Sequence, residues 1–217
     1  MHGRLQVRGS GEYVAGHRGS TRVPKVGTNS GADYCAAPRM QPMDGDTVAE
    51  YLDRYDETQG LLPTELESFG EQYREQGHLT RDQLYEIAYL SSTRSAYHVE
   101  SNPEERCREV TRNVRRVSGD FSKIRLITGL SGFQAPTASC VLAALDPDRH
   151  AVVDTRVWAT LDRFDRLDGR KESFDADDYV AMIEPIRAIA TETGYTPAEV
   201  GYALFAYDAV HRAGTLH

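Results

Sequence analysis

Residues 127–161, "ITGLSGFQAPTASCVLAALDPDRHAVVDTRVWATL", decide how this chain folds. The first residues close a run, "DFSKIRLIT", that reads as a short helix. "GLSGFQ" follows, a turn punctuated by Gly129 and Gly132. "APTASCVLAAL" then opens a second helix on small residues. Such a hairpin offers backbone N–H groups to an anion: glycine permits close approach and positive φ, and the helix start adds a favourable dipole. The run "HAVVD" then delivers Asp154 to the start of "TRVWATL". It is the only strand candidate in the chain, and too short to pair usefully.

Helix signals are dense on both sides. "DTVAEYLDRY" begins a first helix near Asp44. "TELESFGEQYREQG" has Thr64 and Glu67 at capping-box spacing and Gly77 as a stop, and "TRDQLYEIAYL" repeats the pattern with Thr80 and Gln83. "NPEERCREVTRNVRRV" reads as a helix with Asn102 as N-cap and Pro103 in the first turn. "DADDYVAMIEPIRAIATETG" runs to Gly194 with a bend at Pro185. "TPAEVGYALFAYDAVHRAG" carries Thr196 and Glu199 as a third capping box. The expected class is all-α: one domain over 44–217, a bundle of about eight or nine helices in two lobes.

Composition narrows the setting. The chain has 217 residues, 40% of them hydrophobic, enough for a real core. No stretch approaches the roughly 18 to 20 apolar residues of a membrane span, and no apolar run follows the basic N-terminus as in a secretory leader; a cytoplasmic protein with no membrane role is expected. Cys35, Cys107 and Cys140 are too few and too scattered for a disulfide framework or a metal cluster, so no metal and no cofactor is expected. Net charge is −8, which argues against nucleic acid, but the charge is uneven. Residues 1–43 hold six basic and two acidic residues, a net of +4, leaving −12 for the rest. That Gly-, Arg- and Ser-rich segment shows no periodicity and reads as a disordered basic extension, with Met40 or Met43 as an alternative start.

The hairpin and Asp154 together resemble a known family. "Leu130-Ser131-Gly132-Phe133-Gln134-Ala135-Pro136-Thr137-Ala138" is similar to the hairpin of the helix-hairpin-helix base-excision DNA glycosylases, the endonuclease III-like superfamily. That hairpin runs Leu-Pro-Gly-Val-Gly, two variable residues, then Thr-Ala. The family's catalytic Asp follows in a Val-Asp-Thr context, and Val153-Asp154-Thr155 matches it 18 residues beyond Pro136. The match covers about residues 124–165. The departures carry meaning. Pro136 stands where bifunctional members have the Schiff-base lysine, Gln134 replaces the second hairpin glycine, and the four-cysteine iron–sulfur motif is absent.

The resemblance implies a monofunctional DNA N-glycosylase without lyase activity, or a non-catalytic helix-hairpin-helix protein that binds DNA or an assembly partner. The implied partner is double-stranded DNA carrying a modified or damaged base, flipped into a cleft. Asp154 is the implied catalyst. Gly129, Leu130, Ser131, Gly132, Phe133, Gln134 and Thr137 are the implied DNA contacts. Arg94, Trp158, Tyr207 and Asp208 are candidates for the pocket wall. Local sequence leaves alternatives open: Asp154 before "TRVWATL" is also an ordinary N-cap, and residues such as Trp158 and Tyr207 are more often core than pocket wall.

Overall fold

The computed structural model describes residues 43–212, apart from 59, 61, 62 and 170. All regular elements among these residues are helical. They are α1 (Gly45–Asp53), α2 (Pro63–Gln76), α3 (Arg81–Ser91), α4 (Thr93–Ala96), α5 (Glu104–Val114), α6 (Asp120–Thr128), α7 (Ala135–Leu145), α8 (Thr155–Arg163), α9 (Ala176–Thr193) and α10 (Pro197–His211), with 3₁₀ turns at Tyr55–Glu57 and Tyr97–Ser101. The count exceeds the sequence reading by the short helix α4, which coils within "SSTRSAY" between two of the expected helices. The segment 150–154 is extended but pairs with no strand. No helix among the described residues is long and apolar enough to cross a membrane.

The caps explain most boundaries. Thr80 with Gln83 and Thr196 with Glu199 close the expected capping boxes on α3 and α10. Two expected caps are not made. Helix α2 starts at Pro63, whose fixed φ suits a first turn, so Thr64 lies inside the helix rather than ahead of it. Pro103, not Asn102, is the N-cap of α5. The Asn102 side chain turns instead to the hairpin: Nδ2 donates to the carbonyls of Val99 and Ser131, and Oδ1 accepts from the Ser131 N–H, each at 2.9 Å. Met43, assigned by sequence to the extension, is buried, and with Val48 it occupies the two positions of a hydrophobic staple around the Asp44 cap. The remaining residues of that extension lie outside the described part. Helix α9 continues through Pro185 and ends on Gly194 at φ 82°.

Packing sorts the helices into two sets within one compact unit. In the first, α7 is the hub, contacted by α2, α3 and α6. Being apolar and small on nearly every face, α7 is buried almost throughout, as such a helix must be. Gly70 lets α2 cross it closely, since a Cβ there would sit 2.3 Å from the Ala144 carbonyl oxygen. In the second set α10 is the hub, contacted by α1, α8 and α9. Helix α9 also packs on α6 and α7 and so joins the two sets. The segment 150–154 passes between the hubs. Gly201 of α10 admits it, since a Cβ there would meet the Ala151 Cβ at 3.0 Å and the Val152 carbonyl at 3.2 Å.

Candidate active site

Where the segment reaches Asp154, a cavity of about 470 Å³ opens between the two helix sets. This lies in the range of small-molecule pockets. One wall comes from the first set: Ser91, Ser92 and Ser95 around α4, and Gln134, Pro136 and Thr137 from the hairpin's end and the first turn of α7. The other comes from Tyr55, Gly201, Tyr202 and Phe205, with Val153, Asp154 and Val157 as floor. The hairpin and the aspartate, adjacent only as motifs in sequence, therefore border one space.

Asp154 is held from three sides. The Val153 N–H donates to Ser139 Oγ at 3.0 Å, and that hydroxyl donates to the Pro136 carbonyl at 2.6 Å. The residue before the aspartate is thus tied to the first turn of α7. Asp154 Oδ1 then accepts the N–H groups of Arg156 and Val157, each at 2.9 Å, and so caps α8. Its second oxygen makes no hydrogen bond within the described residues. Asp154 keeps an accessible edge toward the cavity while protein surrounds it elsewhere. Burial raises its pKa above the ordinary carboxylate range. The two N–H groups and the Arg156 charge oppose the rise, and the nearby Asp208 carboxylate adds to it.

The aromatic wall is made of tilted rings. Tyr55 lies 5.1 Å from Tyr202 at 57° and 5.9 Å from Phe205 at 54°. Both tyrosine hydroxyls are pushed upward by burial and remain neutral donors. The Arg156 guanidinium sits over Phe205, 4.8 Å from its centroid. Behind Thr137, Cys140 is fully buried and its thiol is pushed up to about 12, so it is inert. Among the described residues, Asp154 is the only charged residue lining the cavity; the polar remainder is hydroxyl and amide.

The hairpin candidates divide. Gly129, Ser131 and Gln134 are exposed, but Leu130 and Phe133 are buried and serve as packing. Gly132, at φ 90°, packs against the Ser95–Val99 turn. The Ser131 N–H is taken by Asn102, whereas those of Gly132 and Gln134 have no partner within the described residues. Arg106 Nη2 donates to the Gly129 carbonyl at 3.1 Å, bringing one cation to the turn. Thr137 lines the cavity, its Oγ1 accepting from Ser91 Oγ at 3.3 Å.

None of the four pocket candidates lines the cavity. Trp158 stacks on Phe174 at 5.4 Å and 18°, and its indole N–H donates to the Gly169 carbonyl. One turn beyond the cap, it points into the packing of α8. Tyr207 belongs to a cluster with Tyr51, Phe164 and His211. Arg94 is exposed on α4, between the serines that do line the wall. Asp208 is buried, 2.8 Å from Arg212 Nη2, and reaches Asp154 through its charge alone. Sequence reasoning passed over Tyr55, the serines and the lining role of Tyr202 and Phe205. The clustered hydroxyls of "SSTRS" were the one local signal for the serines; the aromatic residues had none, since the spacing of Tyr202 and Phe205 on α10 suits a core and Tyr55 stands in a short 3₁₀ turn.

No family model matches the chain, and no curated protein or solved structure matches it either.

Proposed function

We propose that this protein hydrolyses the N-glycosidic bond of a nucleotide flipped out of duplex DNA, without a following strand-cleavage step. One observation carries the reading. A carboxylate with one oxygen fixed by two helix N–H groups, and the other without a partner among the described residues, lies in a nucleotide-sized cavity that the hairpin's last residues also border. As the base departs, positive charge grows on the sugar. The Asp154 carboxylate, positioned in advance by its cap bonds, stabilises that charge and orients a water for attack at C1′. The C–N bond breaks and its electron pair leaves with the base; the water oxygen bonds to C1′ as the new hydroxyl, and the proton it gives up passes to the Asp154 carboxylate and on to the departing base through solvent. The aromatic rings and neutral hydroxyls of the wall accept a base. With one acid and no basic side chain in the described lining, a base carrying positive charge suits it better than an anionic one.

A lyase step needs an amine beside the sugar. Pro136 supplies none, and Lys123 lines a different cavity, so borohydride should trap no protein–DNA adduct. The test is a panel of duplexes, each with one alkylated, deaminated or oxidised base, read as abasic sites at low and high salt, with Asp154→Asn as control. Excision by wild type and not by the variant supports the reading. Duplex retention with no excision of any lesion replaces it with the non-catalytic DNA-binding alternative.

A further inference from the structure

A second cavity lies at the other end of α7, where the C-terminal ends of α5 and α7 meet α2 and α6. We propose that it binds a small tetrahedral oxyanion, a phosphate or sulfate group. Its volume is about 160 Å³. That equals the liquid share of about five waters, at roughly 30 Å³ each, and is room enough for such a group. Arg74, Arg115, Lys123, Asp146 and the buried His150 face it.

The charges around this cavity are unbalanced. None of Arg74, Arg115, Lys123 or Asp146 forms an ion pair within the described residues, although nine pairs form among residues outside this lining. Arg115 lies 5.9 Å from the Tyr73 ring centroid, which leaves its charge intact. Lys123 is 3.4 Å from His150 Nε2. An ammonium only donates, so Nε2 accepts and the ring proton sits on Nδ1, 2.8 Å from the Tyr179 hydroxyl and 4.0 Å from Asp120. Burial, then the Lys123 charge, depress the His150 pKa to about 3, so the imidazole is neutral. Lys123 is therefore anchored to a group that cannot offset its charge.

Magnitudes favour an anion. Two helix C-termini bring roughly half a negative charge each, and Asp146 brings one more. Against three cations this leaves a surplus of about one positive charge, in a chain whose net charge is −8. Two guanidinium forks beside a lysine suit a tetrahedral oxyanion, the forks by paired hydrogen bonds and the lysine as a point charge. Helix α7 spans 11 residues, about 16 Å at 1.5 Å each, so this group does not contact the Asp154 cavity. The inference stands whether or not the chain excises bases.

The test uses the full chain. Thermal midpoints are measured in rising sodium phosphate, sodium sulfate and sodium chloride at matched ionic strength, and in adenosine diphosphate. The comparison is between wild type, Lys123→Met, and the Arg74→Gln/Arg115→Gln double variant. Phosphate or sulfate should raise the midpoint with the logarithm of its concentration above Kd, by about 5 °C or more at about 100 times Kd, and chloride should not. Both variants should lose that rise. A nucleotide that binds more tightly than free phosphate identifies a nucleotide-borne group; free phosphate binding alone identifies the free ion. Identical curves in phosphate, sulfate and chloride overturn the proposal, as does a double variant that keeps the rise. Arg74 and Arg115 are exposed, so that variant folds even if Lys123→Met does not.

Discussion

Replacing Asp154 separates its structural role from a chemical one. Oδ1 holds the N–H groups of Arg156 and Val157, both at 2.9 Å. In Asp154→Asn the amide oxygen keeps both bonds, whereas Asp154→Ala leaves both groups open at the start of α8. Losing such a cap costs about 0.5–2 kcal/mol, and two shared donors place this one toward the upper end. Charge moves the Asn variant the other way. The folded pKa of Asp154 is raised above its unfolded value, so the folded state favours the protonated acid. The stability this gives is fully present below about pH 3.9 and is lost as pH rises through the folded pKa. An amide has no such loss. Asp154→Asn should therefore equal wild type near pH 3.5 and become the more stable of the two toward neutral pH, while Asp154→Ala stays below both. The assay is chemical denaturation of all three across pH 3.5–8. An Asn variant as destabilised at pH 7 as the Ala variant would refute the reasoning. Under the proposed glycosylase reading, excision should fall by about a hundredfold or more in the Asn variant. In wild type it should rise with pH through a midpoint above the ordinary carboxylate range.

Other positions give separate tests. Gly132→Ala must hold φ 90° and place a Cβ 2.8 Å from Val99 Cγ2 and 3.1 Å from the Ser95 carbonyl, so denaturant titration should show a loss above the roughly 1–2 kcal/mol of left-handed strain. At Gly77, where a Cβ meets nothing within 4 Å, alanine should cost only that strain. Ser139→Ala strands the buried Val153 N–H, and denaturant titration should show a loss of about 1–3 kcal/mol. His150 is buried neutral, with a pKa depressed below its unfolded value to about 3, so its contribution is complete above about pH 6.5 and fades as pH falls toward 3. Thermal midpoints should drop across that window, and less steeply in His150→Gln.

The helical class and most helix ends were legible because each depends on neighbours a few residues apart. Thr80 with Gln83 and Thr196 with Glu199 are complete within one turn. Asn102 was misread for the opposite reason: its partner is Ser131, 29 residues away, and that bond replaces a local cap. The cavity was half legible. Motif spacing brought Asp154 and the hairpin together. Its remaining wall comes from α4, the Tyr55–Glu57 turn and α10, and only tertiary packing puts Tyr55 opposite Ser91. Trp158 lies one turn from Asp154 on the same helix, yet the side chain packs against Phe174. Periodicity gives a face, but not which neighbour fills it.

The Ser139 hydroxyl has a mechanical consequence. By bridging the Pro136 carbonyl and the Val153 N–H, it welds the hairpin's helix and the Asp154 strap into a single rigid gauge. Whatever docks on the hairpin finds the carboxylate at a preset offset, so adaptation falls on the ligand. Lengthening that gauge by a residue in 146–153 should leave both ends intact and put them out of step.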